Sequence, residues 1–172
     1  MKQLIALGGS NSKASINKQL AVYAATQIQE VTVRIIDLND FEMPVYGIDL
    51  EKEQGIPTAA IQLNTLFSEV DGFVVSLAEH NGSYAAVFKN TLDWLSRVDK
   101  QVWKNKPVLL LATSPGARGG QTILNTAKTS FPHLGANIVA HCALPSFHAH
   151  YNKSGIKHPE LSEAILSFQK AL

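Results

Sequence analysis

The sequence predicts an α/β domain, a doubly wound sheet of five parallel strands with helices on both faces. Three observations lead there. Five short runs rich in apolar and β-branched residues recur along the chain, at Gln3 to Leu7, Val31 to Leu38, Phe73 to Ala78, Val108 to Thr113 and Asn137 to Leu144; such runs suit strands buried on both faces. Segments of helical periodicity separate them and are long enough to cross over between parallel strands. The 172 residues, 45% hydrophobic and 17% charged, hold no internal repeat or low-complexity stretch, so residues 1 to 172 are expected to form a single domain burying roughly 70% of the unfolded surface.

Each element has its own signal. After the first strand, Ile16, Leu20, Tyr23, Ala24 and Ile28 recur at helical spacing with Ser15 as the cap. Val31 to Leu38 follows as the second strand, and Asn39 to Gly55 is a long connection of a length that usually carries function. Pro57 opens a helix striped by Ala60, Leu63, Phe67 and Val70, which Asp71-Gly72 ends. Beyond the third strand a polar loop passes into a helix from about Ser83, whose apolar arc (Tyr84, Val87, Phe88, Leu92, Trp94, Leu95) is wider than one core contact needs. A subunit interface would explain it, with Trp94 at that interface. The fourth strand leads through SPGARGGQ into a helix from about Thr122 to Phe131, and a last helix opens at Pro159.

The net charge of +1 supplies no electrostatic reason to bind nucleic acid or an acidic membrane. No run approaches transmembrane length and no cleavage pattern precedes the first strand. The lone cysteine, Cys142, lies in an apolar run and reads as a buried structural thiol in a reducing compartment. A soluble, cytoplasmic protein is expected.

In open α/β sheets ligands bind beyond the carboxyl ends of the strands, where the strand order reverses. Three polar or glycine-rich loops lie at that edge, after the first, third and fourth strands. The first, GGSNSKAS, combines glycines, short hydroxyl side chains and a helix N-terminus, which together suit a phosphate. It has neither the later glycine of the dinucleotide fingerprint nor the ending of the Walker loop, so a phosphate monoester fits it better than a pyrophosphate. Taken alone, the same residues could form only a tight turn.

Taken together, GSNSKASIN, AEHNGSYAAVFKNTLDW and KPVLLLATSPGARGG resemble the NAD(P)H-dependent FMN reductases, a flavodoxin-like family that includes quinone, azo-dye and chromate reductases. Gly9, Ser10, Ser15 and Asn17 match its first motif, with Ser12 where an arginine often stands. Glu79, Asn81, Gly82 and Ser83 match its second, with Ala78 in place of proline and His80 in place of tyrosine. The resemblance implies a flavodoxin-like strand order 2-1-3-4-5 and an FMN whose phosphate is held by Ser10, Ser12, Ser15 and Asn17. Its ring would rest against Glu79, His80, Asn81 and Gly82 and against the loop carrying Ser114, Gly116 and Gly119. Hydride would come from NADPH or NADH and pass to a small-molecule electron acceptor such as free flavin or a quinone. It further implies a homodimer or tetramer through the Ser83 to Arg97 helix, with Asn90 and Trp94 near the interface. Catalysis would rest on the flavin, with no catalytic side chain.

Other residues carry weaker signals. Glu79 and His80 could be an acid–base pair, but flavin contact is the favoured reading. His148 and His150 lack a further ligand at suitable spacing, so no metal is expected. Arg118 either reaches a nicotinamide phosphate or is solvated, and Asp49, Glu51 and Glu53 read as solvated loop or helix lead-in, with a share in the rim of a partner's site as the lesser reading. Two alternatives to the enzyme stay open, a flavodoxin-type electron carrier and an FMN-binding regulatory module. Carriers of that type are usually strongly acidic, and this chain is not.

Overall fold

The computed structural model describes residues 1–152 and 154–172. Strand β1 (Lys2–Gly9) is followed by α1 (Ile16–Thr26), β2 (Val31–Ile36), α2 (Ile48–Gln54), α3 (Thr58–Ser68) and β3 (Gly72–Leu77). A short hairpin comes next, β4 (Glu79–His80) with β5 (Ser83–Tyr84), and then α4 (Ala86–Val98), β6 (Pro107–Thr113), α5 (Gln121–Ser130) and β7 (Asn137–Leu144). The chain closes with α6 (Phe147–His150), the small strands β8 (Tyr151–Asn152) and β9 (Gly155–Ile156), and α7 (Pro159–Ala171). The main sheet runs β2-β1-β3-β6-β7 and every pairing in it is parallel. This is the flavodoxin-like order expected from the sequence.

Alternate residues of the central strands face opposite layers. Ile5, Leu7, Phe73, Val75 and Leu110 join α3, α4 and α5 in one core, while Leu4, Ala6, Val74, Leu109 and Leu111 join α1 and α7 in the other. Both faces being covered is why these strands read as nearly continuous apolar runs, with Ser76 the polar residue in β3. Register places Gly9 opposite Leu77, Leu77 opposite Ala112 and Ala112 opposite Ala143. The loops after β1, β3 and β6 therefore leave the sheet from one level, with the reversal of strand order falling between β1 and β3.

Three expectations need correction. The segment after β3 does not enter a helix at Ser83. Asn81 and Gly82 adopt φ of 52° and 74°, as a type I′ turn requires, and so tie Glu79–His80 to Ser83–Tyr84 before α4 begins. The long connection Asn39 to Gly55 carries elements of its own. It holds a 3₁₀ turn at Leu38–Asp40 and then α2, and within it Glu51 is no solvated acid, since it pairs with Arg97 Nε at 3.0 Å and accepts from Tyr46 Oη at 3.0 Å.

Trp94 is likewise not at a free surface. It is completely buried within the chain, its indole N–H donates to Pro44 O at 2.8 Å, and Tyr46 packs edge-on against its ring at 5.0 Å. Asn90 beside it donates to Pro44 O and accepts from Tyr46 N–H. The wide apolar arc of α4 is thus covered by the chain's own segment 43–46, a contact across about 50 residues of sequence that helical periodicity does not register.

Candidate functional site

β1 ends in Gly8 and Gly9, and Gly8 serves packing. A Cβ there would lie 2.6 Å from the backbone N and Cα of Lys18, so α1 can approach the strand this closely only where no side chain intervenes. The following loop turns on its own hydrogen bonds. Ser10 N–H donates to Gly8 O at 2.8 Å, Ser12 N–H to Ser10 Oγ at 3.1 Å, and Ser15 N–H to Ser12 O at 3.1 Å. Ser15 caps α1, its Oγ accepting from Lys18 N–H at 3.1 Å. The N–H groups of Lys13, Ala14, Ile16 and Asn17 have no partner among the described residues. A helix N-terminus with free donors and adjacent hydroxyls favours an anion.

The Asn17 side chain is engaged within the fold. It is buried, Nδ2 donates to Thr113 O at 3.1 Å, and Oδ1 accepts from Thr113 N–H at 3.0 Å and from Ser76 Oγ at 2.7 Å. It fastens α1 to the ends of β3 and β6, leaving chiefly its main-chain N–H for a ligand. Thr113 continues this network by donating to Leu144 O at 2.7 Å. Such a buried, satisfied network is rigid, so the loop is held in place before anything binds.

Glu79 is also occupied. Its Oε2 accepts from Ile123 N–H at 3.1 Å, supplying the first turn of α5 with the cap that Gly120 lacks. The hairpin after β3 is thereby tied to the helix after β6. In the third loop, Gly116 O accepts from Ser114 Oγ at 3.1 Å, Gly119 N–H at 3.2 Å and Ser146 N–H at 2.9 Å, while Ser114 O accepts from Phe147 N–H at 3.1 Å. The segment entering α6 thus staples the loop down. Gly119 has φ of 59° and lies against Leu144 and Pro145, where a Cβ would come within 2.8 Å of backbone.

The three loops enclose a cleft of about 260 Å³. Ser10, Ser12, Ser15 and Asn17 line one side, and Glu79, His80 and Ser114 line the other. Asn81 and Gly82 stand at the exposed hairpin tip, Gly116 is exposed in its loop, and Gly119 is buried beneath it. Pro115, in the loop expected at the ring, also lines the cleft, and sequence reasoning missed Thr113 beside it; a polar residue closing an apolar strand was the available sign of Thr113. Arg118, in the loop before α5, donates to Thr122 Oγ1 in the first turn of that helix at 2.7 Å. Next to the cradle, Lys18 pairs with Asp37 at 2.5 Å, and the hydrogen bond from Lys18 holds the Asp37 carboxyl below its ordinary value. Cys142 is buried as expected, and burial pushes its thiol up to about 11.

These features define a flavodoxin-like α/β protein with an anion-adapted cleft where its strand order reverses. The chain belongs to the NADPH-dependent FMN reductase family, which it matches over residues 2–150. It is 33% identical over 119 residues to a quinone reductase of Escherichia coli (strain K12), covering 69% of this chain but 63% of that relative, less than two thirds of its length. An NADPH azoreductase of Bacillus sp. (strain OY1-2) is 31% identical over 137 residues, 80% of this chain and 72% of its own. Among solved structures, the apo form of an NADH:FMN oxidoreductase superposes with a TM-score of 0.78 at 21% identity, covering 100% of this chain and 90% of that one. A flavoenzyme NAD(P)H:acceptor oxidoreductase from Paracoccus denitrificans superposes at 0.72, with 21% identity and 99% of each chain covered. At that identity the two structures are likenesses of fold. Among the described residues no helix is long and apolar enough to cross a membrane.

Proposed function

We propose that this chain is an FMN-dependent NAD(P)H oxidoreductase that delivers electrons to a small acceptor, a free flavin or a quinone. The observation that carries the reading is the cradle at the start of α1, where unpartnered N–H groups and the hydroxyls of Ser10, Ser12 and Ser15 converge on one end of the cleft. Those donors match a phosphate monoester, and the opposite wall suits a flat ring, since His80 and Ser114 border it while the exposed Gly116 adds no side chain. The residues present therefore fit FMN: Ser10, Ser12, Ser15 and the main-chain N–H of Asn17 at the phosphate, and His80, Asn81, Gly82, Ser114 and Gly116 at the ring.

When bound, FMN supplies the hydride-accepting and electron-donating chemistry, with NADPH or NADH as the donor. The protein's contribution is position and electrostatics. The Asn17 and Glu79 hydrogen bonds hold the three loops at fixed separation, so little ordering remains to be done on binding. Gly116, Ala117 and Arg118 have main-chain N–H groups without partners among the described residues, available to stabilise negative charge that develops nearby. No side chain in the cleft is required as a nucleophile.

The same reading includes a homodimer and a cytoplasmic location, where a lone reduced thiol persists. Because α4 is covered, the dimer surface moves to the segment that covers it: Val45 is 84% exposed and Ile48 56% exposed, values that favour a partner subunit over water. The test of the function is a titration of the purified chain with FMN and with riboflavin, followed by NAD(P)H oxidation with quinone as acceptor. One FMN per chain, bound tighter than riboflavin and supporting turnover, is expected; equal affinities would remove the phosphate cradle from the argument.

A further inference from the structure

A second group of ligating side chains lies outside the cleft. Cys142 stands two residues before the end of β7, His158 is the residue before the first turn of α7, and Glu160 lies within that turn. The Cys142 thiol sulfur, one imidazole nitrogen of His158 and one carboxylate oxygen of Glu160 lie within 4.8 Å of one another. Among the described residues none of the three side chains hydrogen-bonds another, and His158 Nδ1 is buried with no partner. A buried nitrogen left this way is unfavourable until it finds a partner. Three lone-pair donors from two elements thus converge without using those lone pairs on each other.

We propose that Cys142, His158 and Glu160 bind a zinc ion, with a water in the fourth position, and that the ion clasps the N-terminus of α7 to the edge strand β7. A tetrahedral zinc with bonds of about 2.0–2.3 Å sets its ligands roughly 3.3–3.8 Å apart, so the three groups need close by only about 1 Å. Glu160 is exposed and free to make that movement. A set of one sulfur, one nitrogen and one oxygen selects zinc over magnesium or calcium, which take oxygen ligands. A cleft of about 450 Å³, lined by Cys142 and Glu160 together with Gln121 and Glu163, opens onto the group and gives the ion a way in. The ring of His150 packs edge-on against His158 at 5.1 Å, and its Nδ1 lies 3.2 Å from Lys157 O, which steadies the His158 ring as a neighbour of the ligand set. Binding forms the zinc–sulfur bond as the thiol proton leaves to solvent; nothing is oxidised or reduced.

The test uses the full chain titrated with cobalt(II) as a spectroscopic stand-in, then with zinc. The expected result is one cobalt per chain with a thiolate-to-cobalt charge-transfer band, bleached by one equivalent of zinc, and a melting temperature that rises with zinc but not with magnesium. Cys142→Ser should lose the band. Because Cys142 is buried and its substitution can disturb folding, His158→Gln and the surface change Glu160→Gln are measured beside it, each expected to weaken zinc by at least about tenfold. No charge-transfer band in the unaltered chain, or zinc affinity unchanged in His158→Gln and Glu160→Gln, overturns the proposal. FMN affinity plays no part in this readout, so the result stands apart from the function proposed for the cleft.

Discussion

Ser15→Asp separates the phosphate cradle from the fold that carries it. Ser15 is 7% exposed, lines the cleft and caps α1 through its Oγ. Aspartate caps a helix as well as serine does, so the substitution keeps the hydrogen bond to Lys18 N–H and leaves stability near its starting value. What it adds is a carboxylate at the phosphate end of the cleft. A phosphate monoester carries about 1.5–2 negative charges at neutral pH, and at a separation of about 5 Å and an effective dielectric of 20–40 the repulsion comes to about 2.5–6.6 kcal/mol. FMN affinity should therefore fall by a factor of roughly 70 to several tens of thousands. Riboflavin has no phosphate, and its affinity should change by less than about threefold. The assay is quenching of flavin fluorescence for both ligands, with a thermal melt of the variant to confirm the fold. Equal weakening of FMN and riboflavin at an unchanged melting temperature would refute the reasoning and place the phosphate elsewhere.

The other expectations can be checked in parallel. A Cβ at Gly116 meets nothing closer than Ser114 Oγ at 3.9 Å, so Gly116→Val should melt normally and still weaken FMN, whereas Gly119→Val, forced against backbone at 2.8 Å, should lower the melting temperature; a normal FMN titration of Gly116→Val removes that loop from the ring site. His80→Ala should slow NAD(P)H oxidation by no more than about tenfold, against the 10²–10⁴-fold typical of a general acid–base residue, in steady-state kinetics at saturating FMN. Trp94→Glu should unfold the chain rather than divide a dimer, because it places a carboxylate where an indole is fully enclosed, while Val45→Glu should keep the fold and shift the mass seen by sedimentation toward monomer. Asp37 has its carboxyl held below the ordinary value near 3.8 by Lys18. Its contribution is present above that pH and disappears as pH falls through the lower folded value, so Asp37→Asn should flatten acid unfolding in that window by at most about 1 kcal/mol, the pair being partly exposed.

The sequence by itself determined the parallel sheet and the edge at which its loops leave it, and its resemblance to a known family supplied the strand order. Strands buried on both faces are apolar almost throughout, as Val108 to Ala112 are and as Phe73 to Leu77 are but for Ser76, and the helices between them carry stripes that local spacing displays. The signal of the hairpin was also present, since Asn81-Gly82 is the commonest pair for a turn with two positive φ values. The place of Ser10, Ser12, Ser15, His80 and Ser114 around one cleft follows from that topology. The tertiary structure alone decided how individual side chains are spent. Asn17 meets Thr113 across 96 residues, Glu79 meets Ile123 across 44, and Trp94 meets Pro44 across 50. Periodicity reports which face of an element is buried, but a hydrogen bond or an indole contact depends on which distant backbone happens to lie opposite. For the same reason Cys142, His158 and Glu160 read as unrelated residues along the chain, and their convergence exists only because α7 begins where β7 ends.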